Sequence, residues 1–305
     1  MRSRTSTLCI VLSVAVLTVS ALASVQGSFD RTFTVTGQAD LEVLTHSGDI
    51  TVRSGPAGTI SIRGKINIGN GWFSSNRQAE VSELEKNPPL RQSGNNIRID
   101  YVNVQNIAID YEITAPPDTQ LRTHSGSGDQ TIEGLTTKVD LESGSGDLRL
   151  SNLGAGFRAH TGSGNIGGHD ISGPISAEAG SGDLQLELKA GGDVNVHTGS
   201  GNVDVRGVKG TLRAEAGSGD INISGTQTGD WDVRTGSGDV QLRLPPDAAF
   251  DLEAATGSGS VVVDHPVTMT IQGDIRSSHH HVSGRVAGGG SSLRVHTSSG
   301  DVHIY

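Results

Sequence analysis

Residues 139–150 read VDLESGSGDLRL, and this stretch decides the fold. Apolar and charged side chains alternate before the Gly-Ser-Gly-Asp and again after it. Period-two alternation marks a β-strand with one buried face, so the segment is two strands joined by a tight turn. The tetrapeptide or a close relative recurs, its last residue falling at Asp129, Asp147, Asn165, Asp183, Asn202, Asp220, Asp239 and Ser260. The spacings are 18, 18, 18, 19, 18, 19 and 21 residues. A fixed period near 20 marks stacked units that cannot bury a core alone.

Aligning the copies on the Asp/Asn extends the pattern. Eight residues before it stand Leu121, Val139, Phe157, Ile175, Val194, Leu212, Trp231 and Leu252. Four before it every residue is Ser, Thr or Ala, and one after it most are aliphatic. Trp231 therefore belongs to the core. Glycines supply the positive φ that tight corners need, and the Asp or Asn can close its own turn through its side chain. Circuits of this length stack as parallel strands about 4.8 Å apart, and parallel crossovers are right-handed. The expected fold is all-β: a right-handed parallel β-helix, or β-solenoid, with coils of about 18–20 residues. Thirteen or so circuits would make a rod roughly 60 Å long.

The motif also appears as His46-Ser47-Gly48-Asp49, 80 residues before Asp129, a gap expected to hold about four circuits with one interruption. That interruption, 69–96, contains a helix-forming stretch at 76–86 with Ala79, Val81 and Leu84 as its apolar positions, stopped by Pro88 and Pro89. It is read as a short helical insertion covering a flank or the N-terminal end, since open solenoid ends invite aggregation. A last copy ends at Asp301, 41 residues after Ser260, or two circuits. The parts are thus a leader at 1–23, an N-terminal solenoid with its helical insertion near 70–96 at 24–120, regular coils at 121–263 and C-terminal coils at 264–305.

The leader reads as a secretory signal. Arg2 and Arg4 precede an apolar run at 8–21, and Ala21-Leu22-Ala23 fits a small-x-small cleavage site. Cleavage would leave no transmembrane segment and place the protein in the periplasm, at the cell surface or outside the cell. The only cysteine, Cys9, lies within that leader, so the remaining chain has no disulfide, thiol nucleophile or thiolate metal site. Without Arg2 and Arg4, 21 basic residues face 33 acidic ones, a net charge of −12. Nucleic acid is an unsuitable partner, because binding it needs clustered Lys and Arg.

One outward column carries chemistry. Five residues before the Asp/Asn stand His124, Glu142, His160, Glu178, His197 and Glu215, followed by Arg234. Stacking places these in register. They read as a stabilising ladder, each pair contributing a few tenths of a kcal/mol. They also fit a row of Zn²⁺ or other metal sites with one imidazole and one carboxylate each, or a surface whose charge changes near pH 6. The Asp/Asn column offers a calcium ladder as an alternative to its turn role, although Asn165, Asn202 and Ser260 interrupt its charge. No metal or cofactor is assigned, and His279-His280-His281 is not read as a dedicated site. A polysaccharide-active β-helix enzyme would need a coil with paired carboxylates and aromatic platforms. No coil stands out in that way, Trp72, Phe73 and Tyr101 being the few candidates for exposed aromatics, and the protein is not expected to be an enzyme.

The strings LEVLTHSGDITV (41–52), YEITAPP (111–117) leading into LRTHSGSGD, the TGSGN and AGSGD units, and LRVHTSSGDVHI resemble the bacterial putative-adhesin β-strand-repeat family, a domain of unknown function. The resemblance covers essentially all of the chain after the leader. It implies a β-helix, export or surface location and an adhesin-like role toward a cell-envelope, glycan or protein partner. It transfers no catalytic residues.

Overall fold

In the computed structural model, which describes residues 25–68, 77–104, 106–268 and 280–305, every Gly-Ser-Gly-Asp turn is a corner between two faces of a stack. The leader, Trp72, Phe73 and His279 lie outside the described residues. The strand before the corner belongs to the first face. Val139–Ser145 pairs in parallel with Gln120–Ser127 on one side and Phe157–Ser163 on the other, each partner 18 residues away. The strand after the corner belongs to the second face, where Leu148–Leu153 lies between Gln130–Glu133 and Ile166–Ile171. The same register runs through Ile175–Ser181 and Val194–Ser200, 19 residues apart.

The corner glycines are fixed by steric contact between circuits. Gly146 has φ 138° and Gly182 φ 147°. A Cβ on Gly182 would lie 2.0 Å from the Gly164 carbonyl oxygen, and one on Gly180, at the motif's first glycine, 2.6 Å from that of Gly162. Both glycines therefore let one corner settle onto the next.

The Asp/Asn column acts differently from the turn closure expected of it. Each side-chain Oδ1 accepts the backbone N–H of the next circuit's corner. The chain of bonds runs from Asp110 to Asp49 (2.9 Å), Asp49 to Asp129 (2.9 Å), Asp129 to Asp147 (2.9 Å) and Asp147 to Asn165 (2.9 Å). It continues through Asp183 (2.8 Å), Asn202 (2.7 Å), Asp220 (2.9 Å) and Asp239 (2.8 Å). It closes through Asp301 (2.8 Å) to Ser260 (2.7 Å). Asn serves as well as Asp because only a carbonyl-type acceptor is needed. Ser260 ends the column and donates its own Oγ to Asp301 Oδ1 at 2.9 Å.

This order revises the expected layout. Asp49 and Asp129 are adjacent layers, not circuits separated by several others, and Asp301 lies between Asp239 and Ser260. Ser291–Ser299 accordingly pairs with the Trp231–Ser237 part of one strand and with Phe250–Ser258. The ladder spans eleven layers, about 48 Å at one strand spacing per step. At both ends the parallel stack gives way to antiparallel strands, so the sheet is mixed. Thr59–Ile68 runs antiparallel to Ile107–Ala115, and Val25–Thr34 to Thr59–Ile68. At the far end His281–Val286 runs antiparallel to Phe250–Ser258. The expected helix is Gln78–Lys86 and lies on the outermost N-terminal strand. Val81 is its buried residue, Ala79 is exposed, and Glu85 Oε1 accepts the Ser28 N–H at 3.0 Å.

The core is one continuous layer of inward columns. Trp231 is 1% exposed, as its column position requires, and its Nε1 donates to the Gly210 carbonyl at 3.0 Å. The Ser/Thr/Ala column is buried against the corners. Thr198, Thr235 and Thr297 donate their hydroxyls to the carbonyls of Gly182, Gly219 and Gly238 in the neighbouring circuit. A hydroxyl there supplies a partner to a carbonyl that the positive-φ glycine turns inward.

Candidate functional site: two side-chain arrays on opposite strands of each circuit

The first face carries the predicted column. In-register pairing brings together all six of its residues, from His124 and Glu142 through His160, Glu178 and His197 to Glu215. They couple as pairs. His124 Nδ1 lies 2.9 Å from Glu142 Oε2, His160 Nδ1 3.6 Å from Glu178 Oε2 and His197 Nδ1 3.8 Å from Glu215 Oε2. Arg234 continues the row at 3.7 Å from Glu215. Among the described residues no three His, Cys, Asp or Glu side chains gather as a metal-binding group. The column thus presents a mostly exposed row of alternating imidazole–carboxylate contacts.

A second column, two positions earlier, was not singled out in the sequence. It reads Glu42, Arg122, Asp140, Arg158, Ser176, Asn195, Arg213, Asp232 and Arg294 in successive layers. Arg213 binds Glu215 at 2.7 Å and Arg234 binds Asp232 at 2.7 Å, so the two columns are laced to each other within a strand. The signal was present in the alternating signs of Glu42, Arg122, Asp140 and Arg158, which the uncharged Ser176 and Asn195 then interrupt.

Tyr101 stands at the N-terminal end of this face. Its ring stacks on His46 at 4.4 Å between centroids and 21° between planes, and meets His124 edge-on at 6.2 Å. Partial burial raises its phenol above the usual value. His46 occupies a column that is glycine in the regular repeats, at the layer where the ring of Tyr101 folds back.

The second face has one irregular circuit. Residues three after the Asp/Asn are Leu150, Leu186 and Val205, but Gly168 holds that place in the Asn165 circuit. Two after it, Arg149 and Gln185 flank Gly167. The register then shifts between Gly168 and Ile171, and Asp170 takes a left-handed φ of 56°. Leu186 and Ile171 fill the inward space beside Gly168, whereas the outward position at Gly167 is open and lies in a depression of about 560 Å³. Arg149, Ser151, His169, Gln185 and Glu187 stand around it, while the Leu150 and Leu186 side chains beneath are buried in the core. Arg149 is held by two ladder carboxylates, Asp129 at 2.7 Å and Asp147 at 2.8 Å. The Arg149 guanidinium, then the Asp147 N–H, keeps the Asp129 carboxyl below its ordinary range. This circuit departs from its neighbours by its glycines, not by the paired carboxylates and aromatic platforms that a sugar-cleaving coil needs.

A further depression of about 440 Å³ adjoins it across Asp204 and Arg206, which are joined by two hydrogen bonds. It ends at Tyr305, whose ring lies 4.9 Å from the Arg243 guanidinium and 4.7 Å from the His303 ring. No helix among the described residues is long and apolar enough to cross a membrane.

The profile of the Toastrack DUF4097 family matches residues 29–197 and again 154–305. No curated protein matches the chain. Among solved structures, the chain is similar to a "putative adhesin" from Bacteroides fragilis NCTC 9343 at 14% identity and a TM-score of 0.39, covering 91% of this chain and 97% of that one. It is similar to another "putative adhesin", from Parabacteroides distasonis ATCC 8503, at 8% identity and a TM-score of 0.38, with 92% and 98% covered. A "putative cell adhesion protein" from Clostridium sporogenes ATCC 15579 aligns at 13% identity and a TM-score of 0.23, with 91% and 98% covered.

Proposed function

Because the chain belongs to the Toastrack DUF4097 family, we propose that it is an exported, adhesin-like binding protein that docks a cell-envelope partner on its first face without catalysing a reaction. Residues 1–23 direct export in this reading, and the circuits wind right-handed, as parallel crossovers do. The observation that carries it is the exposed His/Glu row, held in register over six consecutive circuits. Regularly spaced carboxylates of this row, with Arg122, Arg158 and Arg213 of the adjacent column, favour recognition of an extended partner over chemistry at one point. A glycosidase would need two positioned carboxylates in one groove. At the second-face depression, Asp204 is engaged by Arg206, which leaves Glu187 as its other lining carboxylate.

Immobilised residues 24–305 are expected to retain a discrete component from envelope extracts at low salt. A variant carrying Glu142→Lys, Glu178→Lys and Glu215→Lys should lose it. Equal retention by the variant would remove the first face from the mechanism, and polysaccharide degradation by the purified protein would overturn the non-catalytic reading.

A further inference from the structure

We propose that the second face carries an oxyanion site between Arg206 and Arg243, built to take a phosphate group. The first argument is shape. In the column four residues after the Asp/Asn, Arg206, Ser224 and Arg243 occupy successive circuits. A short serine between two arginines leaves a notch, and the arginines stand two circuit steps apart, about 10 Å. The depression there measures about 440 Å³, within the range of small-molecule sites, about 300–1,000 Å³.

The second argument is a charge left over. Each carboxylate flanking the notch already has a basic neighbour. Asp204 accepts two hydrogen bonds from Arg206, and Asp264 Oδ2 lies 3.0 Å from His303 Nε2. Glu187 stands beside Arg206 in register. Among the described residues Arg243 has no carboxylate partner. Its Nη2 donates to the Tyr305 hydroxyl at 3.0 Å, and its guanidinium lies 4.9 Å from the centre of that ring. These contacts hold the group in place and leave its charge unmatched, with most of its N–H donors unused. The corner carboxylates Asp220 and Asp239 are four residues back along their strands, about 13 Å, beyond the Debye length of about 8 Å at physiological ionic strength.

The third argument is the surplus of donors. Asn222 and Gln241 line the same recess as neighbours in register. Among the described residues, neither amide nor the Ser224 hydroxyl has a hydrogen-bond partner. Each of these groups can donate, and the one carboxylate lining the recess, Asp204, is engaged by Arg206. The fitting ligand therefore supplies acceptors and negative charge. Arginine meets both needs of a phosphate with its planar fork. A phosphate also offers more acceptor oxygens and more charge than a carboxylate, so it can answer the arginine, the hydroxyl and the amides together.

Titration calorimetry of the purified protein with inorganic phosphate, at low ionic strength, is expected to show a single saturable site, with acetate bound much more weakly. Arg243→Gln should weaken phosphate binding about tenfold or more, the loss of a charge-assisted hydrogen bond. Ser224→Glu should abolish it, because a carboxylate in the notch would engage Arg243 itself. Lys86→Gln removes the same charge as Arg243→Gln from the N-terminal helix and should bind phosphate like the parent. Circular dichroism should show all three variants folded. Two competitors separate the sources of the phosphate. Displacement by glycerol phosphate alone assigns the site to soluble esters, and displacement by phosphatidylglycerol vesicles as well assigns it to a lipid headgroup. Absence of saturable binding, equal affinity for acetate, or equal losses in Arg243→Gln and Lys86→Gln would each overturn the proposal.

Discussion

At Asp183 one carboxylate oxygen holds the amide of Asn202, while its own amide is held by Asn165. Only the acceptor matters to this bond, so Asp183→Asn should leave the melting temperature within experimental error. Asp183→Ala removes the acceptor and should cost about 1 kcal/mol by chemical denaturation. Gly182 is less forgiving. Its φ of 147° and the overlap with the Gly164 carbonyl make Gly182→Ala destabilising by about 3 kcal/mol or more, read as a shift in denaturation midpoint. If alanine were accepted there with normal stability, the steric account of the corner would be wrong. The sequence placed these residues at corners, because period-two alternation flanks them on both sides. It could not show that the Asp side chain reaches across circuits, because bonding to its own turn and to the next one require the same residue.

Among elements, the central circuits were legible residue by residue, since each repeats its neighbour's inward and outward columns. The ends were not. Counting residues from Asp49 to Asp129 suggested several intervening circuits, yet Asp40–Ser47 pairs directly with Gln120–Ser127. Sequence distance measures chain length, and the detour through 59–115 gives one further parallel layer, from Asn96–Ile99 and Ile107–Ala115, and spends the rest on antiparallel cover strands. The second-face recess lies at Gly167, where adjacent circuits carry Arg149 and Gln185, and in a chain with 43 glycines that residue type alone does not mark it. The C-terminal circuit yields a prediction of its own. Because Ser291–Ser299 lies between two other strands, deleting 291–305 should expose the amides of 231–243 and 250–263 to hydrogen exchange. Amides near 139–188 should remain protected, since solenoid circuits depend mainly on immediate neighbours. Uniform loss of protection would show the rod to be a single cooperative unit.

Across the whole molecule, folding is tied to ionised carboxylates. Arg149, then the Asp147 amide, lowers the Asp129 carboxyl; the Thr211 hydroxyl, then its amide, lowers that of Asp193; the Ser260 amide lowers that of Asp301; and Lys65 lowers that of Glu112. A carboxyl more acidic in the fold than in the open chain contributes stability above its unfolded value, about 4, and loses it as pH falls through the folded value. Melting temperature should therefore drop as pH is lowered from about 4 toward 2. Asp129→Asn should reduce the size of that drop, because the amide oxygen still accepts the Asp147 N–H but no longer titrates. A melting temperature unchanged down to pH 2 would contradict this linkage.

The tucked circuit also governs how the rod resists force. A strand at the edge of a stack can peel away one bond at a time. The strand leading to Asp301 has neighbours on both sides, bonded through the Asp239 and Ser260 corners. A pull on Tyr305 therefore loads two rows of hydrogen bonds together, in shear. The covering Phe250–Ser258 strand must detach before the tail can slide free, which makes this end of the molecule a mechanical latch.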